Sequence, residues 1–217
     1  MRTGINRRVG AIVAGAALLL GAAALAETAA HDHGHDHGAK GSVYEGYFED
    51  ARIAARPLAD WAGEWRSVYP LLVAGTLEPV MTHKAEHGDK SAEEYRAYYE
   101  IGYATDVDRI VIDGDVVRFE SAGGTVAGTY AGDGFEVLTY EKGNRGVRFV
   151  FRKVAGDAAA PGFIQFSDHK IAPETSDHFH LYAGDDRAAL LGELTNWPTY
   201  YPASLDDAAV VREMIAH

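Results

Sequence analysis

Beyond residue 106 the chain alternates between short apolar runs and glycine-centred breaks. The runs fall at 107–112, 116–120, 124–130, 135–141, 147–153, 163–167 and 178–183, and they are rich in Val, Ile, Phe and Tyr. Runs of this length and composition predict β-strands. Asp113-Gly114, Asp133-Gly134 and Asn144-Arg-Gly146 supply the turns between them. Regular short strands joined by hairpins form a meander that closes into a barrel or packs as a sandwich. Residues 43–102 read differently, as mostly helical with one strand-like piece at 63–67. Ser91-Ala-Glu-Glu94 is a capping box that opens a helix through Tyr95, Tyr98 and Tyr99. A last helix is predicted over 206–216, capped by Ser204 or Asp206. No internal repeat and no second domain interrupts this order.

The N-terminal segment changes the picture. Arg2, Arg7 and Arg8 precede an Ala/Leu/Gly/Val-rich stretch over 9–25, and Ala24-Leu-Ala26 is an A-x-A cleavage pattern. Residues 1–26 therefore read as an export signal that is removed, and Arg7-Arg8 raises the twin-arginine route. Residues 27–41 form a polar tail, and 42–217 is one domain's length. Without the three signal arginines the acidic excess grows from 12 to 15 charges. Such a surface disfavours nucleic acid and attracts cations. The chain has no cysteine. An exported protein of this kind relies on its core, and any metal it binds takes nitrogen and oxygen ligands.

The histidines supply the candidate chemistry. His178 and His180 are two apart, so in a strand both imidazoles project from one face. His169 ends the preceding apolar run, and the short connection through Pro173 can fold that run back beside His178. Three imidazoles from neighbouring strands make an open zinc site, with a fourth position left for water or another group. The competing reading is two polar residues on a wet strand face, and the hairpin register decides between them.

A second cluster, His31-Asp-His33-Gly-His35-Asp-His37-Gly38, has no apolar residue and is expected to be a mobile tail. His31, His33, His35 and His37 are auxiliary ligands for divalent metals, weak because the tail loses entropy on closing. His83-Lys-Ala-Glu-His87 matches a metalloprotease pattern, but Gly88-Asp-Lys90 breaks the helix and the window is polar on every side. It reads as a surface helix end. Trp197-Pro-Thr-Tyr-Tyr-Pro202 is either a ligand-binding wall or a rigid segment that plugs or flanks the barrel.

Several segments together resemble the ZinT (YodA) family of bacterial periplasmic zinc-binding proteins. They are Asp60-Trp-Ala-Gly-Glu-Trp-Arg-Ser-Val-Tyr-Pro-Leu-Leu72, Gly102-Tyr-Ala-Thr-Asp106, Gly146-Val-Arg-Phe149, Ile164-Gln-Phe-Ser-Asp-His169, His178-Phe-His180 and Asn196-Trp-Pro-Thr-Tyr-Tyr-Pro202. The match runs from about Val43 to the C-terminus. The resemblance implies a mainly β fold, a calycin (lipocalin-like) antiparallel barrel with helices added at its N-terminal side and a C-terminal helix. It implies zinc held at the barrel mouth by His169, His178 and His180, with cadmium or other divalent transition metals also accepted. It further implies a His-rich tail, a periplasmic location, and delivery of zinc toward the zinc-binding component of an ABC importer. Family members often carry a cysteine pair joining two barrel strands, and the matching stretches around Gly128 and Lys153 have none. Such a staple is typically worth ~2–5 kcal/mol in a small secreted domain.

These observations lead to a metal-binding carrier rather than an enzyme, with no nucleic-acid partner and no membrane contact once the signal is removed. A zinc hydrolase would use the same three histidines and need a general base such as Asp168 or Glu174. Asp168 alternates away from His169, and no nucleophile or oxyanion signature accompanies it. A lipocalin-type carrier of an apolar small ligand is the remaining reading, and it leaves the histidines without a purpose.

Overall fold

The computed structural model describes residues 42–192 and 194–216. The expected signal and the His-rich tail lie outside the described residues. Eight antiparallel strands follow one another around a closed barrel: β1 (Gly63–Ser67), β2 (Val107–Asp113), β3 (Val116–Ser121), β4 (Gly124–Thr139), β5 (Arg145–Gly156), β6 (Phe163–Ser167), β7 (Phe179–Gly184) and β8 (Thr199–Pro202). β8 pairs with both β7 and β1 and so closes the ring. Among the described residues four α-helices accompany it: α1 (Tyr69–Val73), α2 (Glu78–His87), α3 (Ala92–Tyr103) and α4 (Asp207–Ala216). Among the described residues no helix is long and apolar enough to cross a membrane.

Strand alternation sorts the apolar residues into two clusters. Trp65, Ile110, Phe119, Phe149, Phe166, Phe179 and Leu181 point inward and fill the barrel. A short 3-10 turn, Leu58–Trp61, drops Trp61 among them, stacked on Phe166 with ring centroids 4.7 Å apart. The neighbours of the inward residues point outward. Tyr200 belongs to the interior, whereas Tyr201 joins Val68, Leu72, Leu77, Val80, Met81, Tyr103, Val210 and Met214 between wall and helices. Full burial of aromatic side chains of this size contributes roughly 1.5–3 kcal/mol each, so the domain has a core independent of any ion.

The predicted capping box forms as expected: Ser91 Oγ accepts from Glu94 N, and the Glu94 carboxylate accepts from Ser91 N at 2.8 Å. At the last helix Asp206, not Ser204, is the cap, accepting from Ala209 N at 2.7 Å. Two expectations fail. Asp133-Gly134 is not a hairpin turn. The runs 124–130 and 135–141 belong to one strand, β4, with an irregularity between Gly132 and Phe135 opposite the unbroken β5. Gly134 takes φ +86°, which lets the one extra residue bulge without ending the ladder. Thr199-Tyr-Tyr-Pro202 is not a plug but a strand of the barrel wall, β8. Its closing proline ends the strand, where the missing N–H costs least. The cysteine-free stretches around Gly128 and Lys153 lie on the paired strands β4 and β5. There the ladder is reinforced by the Tyr130 hydroxyl donating to the Pro161 carbonyl at 2.8 Å.

Candidate metal centre

β6 and β7 form the hairpin that the site requires, with Ser167 opposite His180. His169 leaves the end of β6, and His178 and His180 flank the inward-facing Phe179 at the start of β7. Because Phe179 is in the barrel core, the two imidazoles on either side of it face outward. The site therefore lies at the end of the barrel, with the His178 and His180 rings on the outer side of the wall.

The three rings converge. Their centroids are separated by 5.7 Å (His169–His178), 6.0 Å (His169–His180) and 6.1 Å (His178–His180). One ring nitrogen from each lies within 4.8 Å of the others. From such a triangle each ring moves by less than about 1 Å to reach a common ion at ~2.0–2.1 Å. The sequence-predicted trio is thus one cluster, and Asp168 points elsewhere, as its alternation requires.

Each ring is oriented by an acceptor on Nδ1. His169 Nδ1 meets the Tyr44 carbonyl at 3.1 Å, and the ring stacks on Tyr44 with centroids 4.3 Å apart. His178 Nδ1 meets the Asp177 carboxylate at 3.2 Å, and its ring stacks on Tyr201 at 5.2 Å. His180 Nδ1 lies 2.8 Å from Thr199 Oγ1, whose own proton goes to the Trp197 carbonyl at 2.9 Å. A carbonyl, a carboxylate and a hydroxyl whose hydrogen is already committed can only accept. All three Nδ1 atoms are therefore assigned as donors, which puts the lone pair of each neutral ring on Nε2. This is the orientation that outer partners give metal-ligating histidines.

The electrostatics favour a neutral His169. Burial of the ring, then the neighbouring His178, lower the His169 pKa from 6.5 to about 4, against the opposing pull of the Tyr44 carbonyl. The residue as a whole is nevertheless exposed to solvent, which weakens that desolvation. Burial pushes the Asp177 carboxyl up, but its hydrogen bond to His178 and the nearby Lys170 hold it well below the usual carboxylate range. Burial also raises the Tyr44 hydroxyl to about 12. A cavity of about 270 Å³ touches both His169 and His180 and gives access to the cluster.

His169 has φ +62°, the only non-glycine positive φ among the described residues. That conformation costs of order 1 kcal/mol and persists only where its surroundings over-determine it. The support comes from Arg56. Its guanidinium donates to Asp168 at 2.5 Å, to Asp60 at 2.8 Å and to the Glu174 carbonyl at 2.6 Å, and lies 4.0 Å above Trp61. The side chains of Arg56 and Asp168 are fully buried. Asp60 in turn accepts from Glu174 N at 2.9 Å. The loop that carries His169 is thereby pinned at both ends to the turn bearing Trp61.

Sequence reasoning missed Tyr44, Arg56, Asp177 and Thr199. Only the Arg56/Asp60 spacing of four left a trace, since it is the spacing of a local ion pair. His83 and His87 share a face at the end of α2, with Glu86 beside them. His31, His33, His35 and His37 lie outside the described residues.

Comparison with known proteins agrees with this architecture. Residues 39–217 match the model of the family described as ZinT (YodA) periplasmic lipocalin-like zinc-recruitment. The probable metal-binding protein YrpE of Bacillus subtilis (strain 168) is 53% identical over 176 residues, covering 81% of this chain and 70% of that protein. The zinc-binding lipoprotein AdcA of Streptococcus pneumoniae serotype 4 is 46% identical over 178 residues, again 81% of this chain but only 36% of AdcA. The crystal structure of the Zn(II)-bound ZinT-like domain of S. pneumoniae AdcA superposes with a TM-score of 0.78 at 44% identity, covering 82% of this chain and 99% of that domain.

Proposed function

Because the chain belongs to the ZinT (YodA) family, a family of zinc-binding proteins, we propose that it is an exported zinc scavenger holding the ion through Nε2 of His169, His178 and His180. One observation carries this reading: three different acceptors fix three converging imidazoles in the same tautomer.

The chemistry suits a carrier. Three neutral imidazoles hold a divalent transition metal and leave coordination open, so a partner's ligand can enter beside them and take the ion. The cavity at His169 and His180 is the route for that exchange. The acidic surface concentrates cations around it. The tail histidines His31, His33, His35 and His37 add weak capture sites, and the site accepts cadmium as well as zinc. The cargo passes toward the zinc-binding component of an ABC-type importer in the periplasm, after removal of residues 1–26.

Neither of the two candidate bases is poised for hydrolysis. Asp168 is committed to Arg56 on the interior side, and Glu174 pairs with Lys170 at 3.1 Å. Carriage of an apolar ligand has one observation in its favour, a cavity of about 600 Å³ at the opposite end of the barrel that touches Phe119, Leu181 and Tyr200. It assigns no role to the histidines. The test is a zinc titration of the full chain and of single alanine variants at 169, 178 and 180. Each variant loses the tight equivalent if the reading holds; full affinity in any one of them removes that residue from the site.

A further inference from the structure

The end of α2 gathers a second set of metal-binding atoms. One atom each from His83, Glu86 and His87 lies within 4.8 Å of the other two. His83 and His87 are four apart on a helix, so their rings sit one above the other, with centroids 4.4 Å apart. Glu86, three residues after His83, brings its carboxylate to the same edge. His87 Nδ1 lies 2.8 Å from the His83 carbonyl, so it donates and the His87 lone pair is on Nε2. The cluster sits in the last turn of α2, where the unpaired carbonyls of a helix favour a cation.

The backbone that carries these groups is well anchored. Val80 and Met81 are buried in the helix–wall cluster. The helix ends at Gly88, where an added Cβ would meet the Tyr95 hydroxyl at 1.9 Å and the Lys84 carbonyl at 2.8 Å. The three ligands are thus displayed from a fixed helix end, and binding costs little ordering beyond their own side chains. His83 is half-buried, and Glu86 and His87 are exposed, so ions reach the cluster from solvent. The next residue along the helix, Lys84, turns to a small cavity of about 120 Å³ that it shares with Tyr44, Tyr103, His178, Tyr201 and Met214. One helix therefore carries the exposed cluster and borders the surroundings of His178.

We propose that His83, Glu86 and His87 form a second, weaker and solvent-exposed site for a divalent first-row metal ion, distinct from the three-histidine centre. Two imidazoles and one carboxylate suit zinc, nickel or copper, and copper binds most tightly by the usual order of divalent affinities. With Glu86 spent as the third ligand, the set is a capture site.

The experiment uses the full chain with His31, His33, His35 and His37 replaced by Asn, so that the tail adds no ligands, and zinc as the probe. Equilibrium dialysis should give two equivalents of unequal affinity. Adding His83→Asn and His87→Asn should remove the weaker equivalent and keep the tighter one. His83→Asn alone should weaken the second site at least tenfold, because chelation needs both rings, and Glu86→Gln should weaken it less. Adding His178→Asn and His180→Asn instead should remove the tighter equivalent and leave the weaker. A single equivalent in the parent, or two equivalents surviving loss of His83 and His87, overturns the proposal. Survival of the tight equivalent without His178 and His180 would sink the three-histidine reading and leave this one standing.

Discussion

Thr199 should control zinc affinity without touching zinc. Its hydroxyl accepts from His180 Nδ1 at 2.8 Å and donates to the Trp197 carbonyl at 2.9 Å, and the residue is buried. Thr199→Val keeps the shape and deletes both interactions. Two neutral hydrogen bonds at ~1 kcal/mol each put the loss of metal-free stability near ~2 kcal/mol. Losing the partner that orients a ligating histidine should weaken metal binding by ~10–100-fold, equivalent to about 1.4–2.8 kcal/mol. At fixed free zinc the loaded variant should therefore lose more stability than the metal-free one, by that second amount. Competition titration against a chromogenic chelator gives the affinity, and urea unfolding with and without zinc gives the stabilities. Thr199→Ser keeps the hydroxyl and should restore the affinity. In a His180→Ala background Thr199→Val should have no further effect on zinc. An affinity within twofold of the parent, or an undiminished effect in that background, would refute the argument that the hydroxyl acts by orienting His180.

Other outcomes follow from the same structure. Arg56→Met strands the fully buried Asp168 carboxylate and should cost about 3–5 kcal/mol in urea unfolding; adding Asp168→Asn should recover most of it, and a loss under about 1 kcal/mol would show that the latch carries little. With a pKa lowered from 6.5 to about 4, His169 stays neutral in the folded metal-free protein while the unfolded chain gains its proton. The unfolded state then binds more protons between those values, so metal-free stability should fall as pH drops through that window; an NMR midpoint for this ring at or above 6.5 would contradict the assignment. Circular dichroism of the metal-free protein should retain its strand signal at neutral pH, because the barrel core is complete without an ion, and an unfolded metal-free chain would make zinc a structural element instead of a cargo. Deleting residues 27–41 should lower the number of zinc equivalents and spare the tight one; loss of the tight one would move the main site to the tail.

Much of this was legible in the chain, and the misses share a cause. The i, i+2 pair at His178 and His180 with His169 across a hairpin needed only strand periodicity. Asp133-Gly134 misled because a left-handed glycine serves a hairpin and a bulge equally well, and only the pairing of β4 with β5 tells them apart. β8 was hidden by its shortness and flanking prolines; it is a strand because β1 and β7 offer it two edges. The orienting groups escaped notice because they arrive from far away in sequence: Tyr44 to His169, and Arg56 to Asp168.

The most direct measurement is a crystal structure of the zinc-loaded protein with anomalous diffraction at the zinc edge. The strongest anomalous peak should lie at ~2.0–2.1 Å from Nε2 of His169, His178 and His180, with their Nδ1 atoms still bonded to Tyr44, Asp177 and Thr199. A strongest peak at His83 and His87, or one of the three rings turned to bind through Nδ1, would contradict the account.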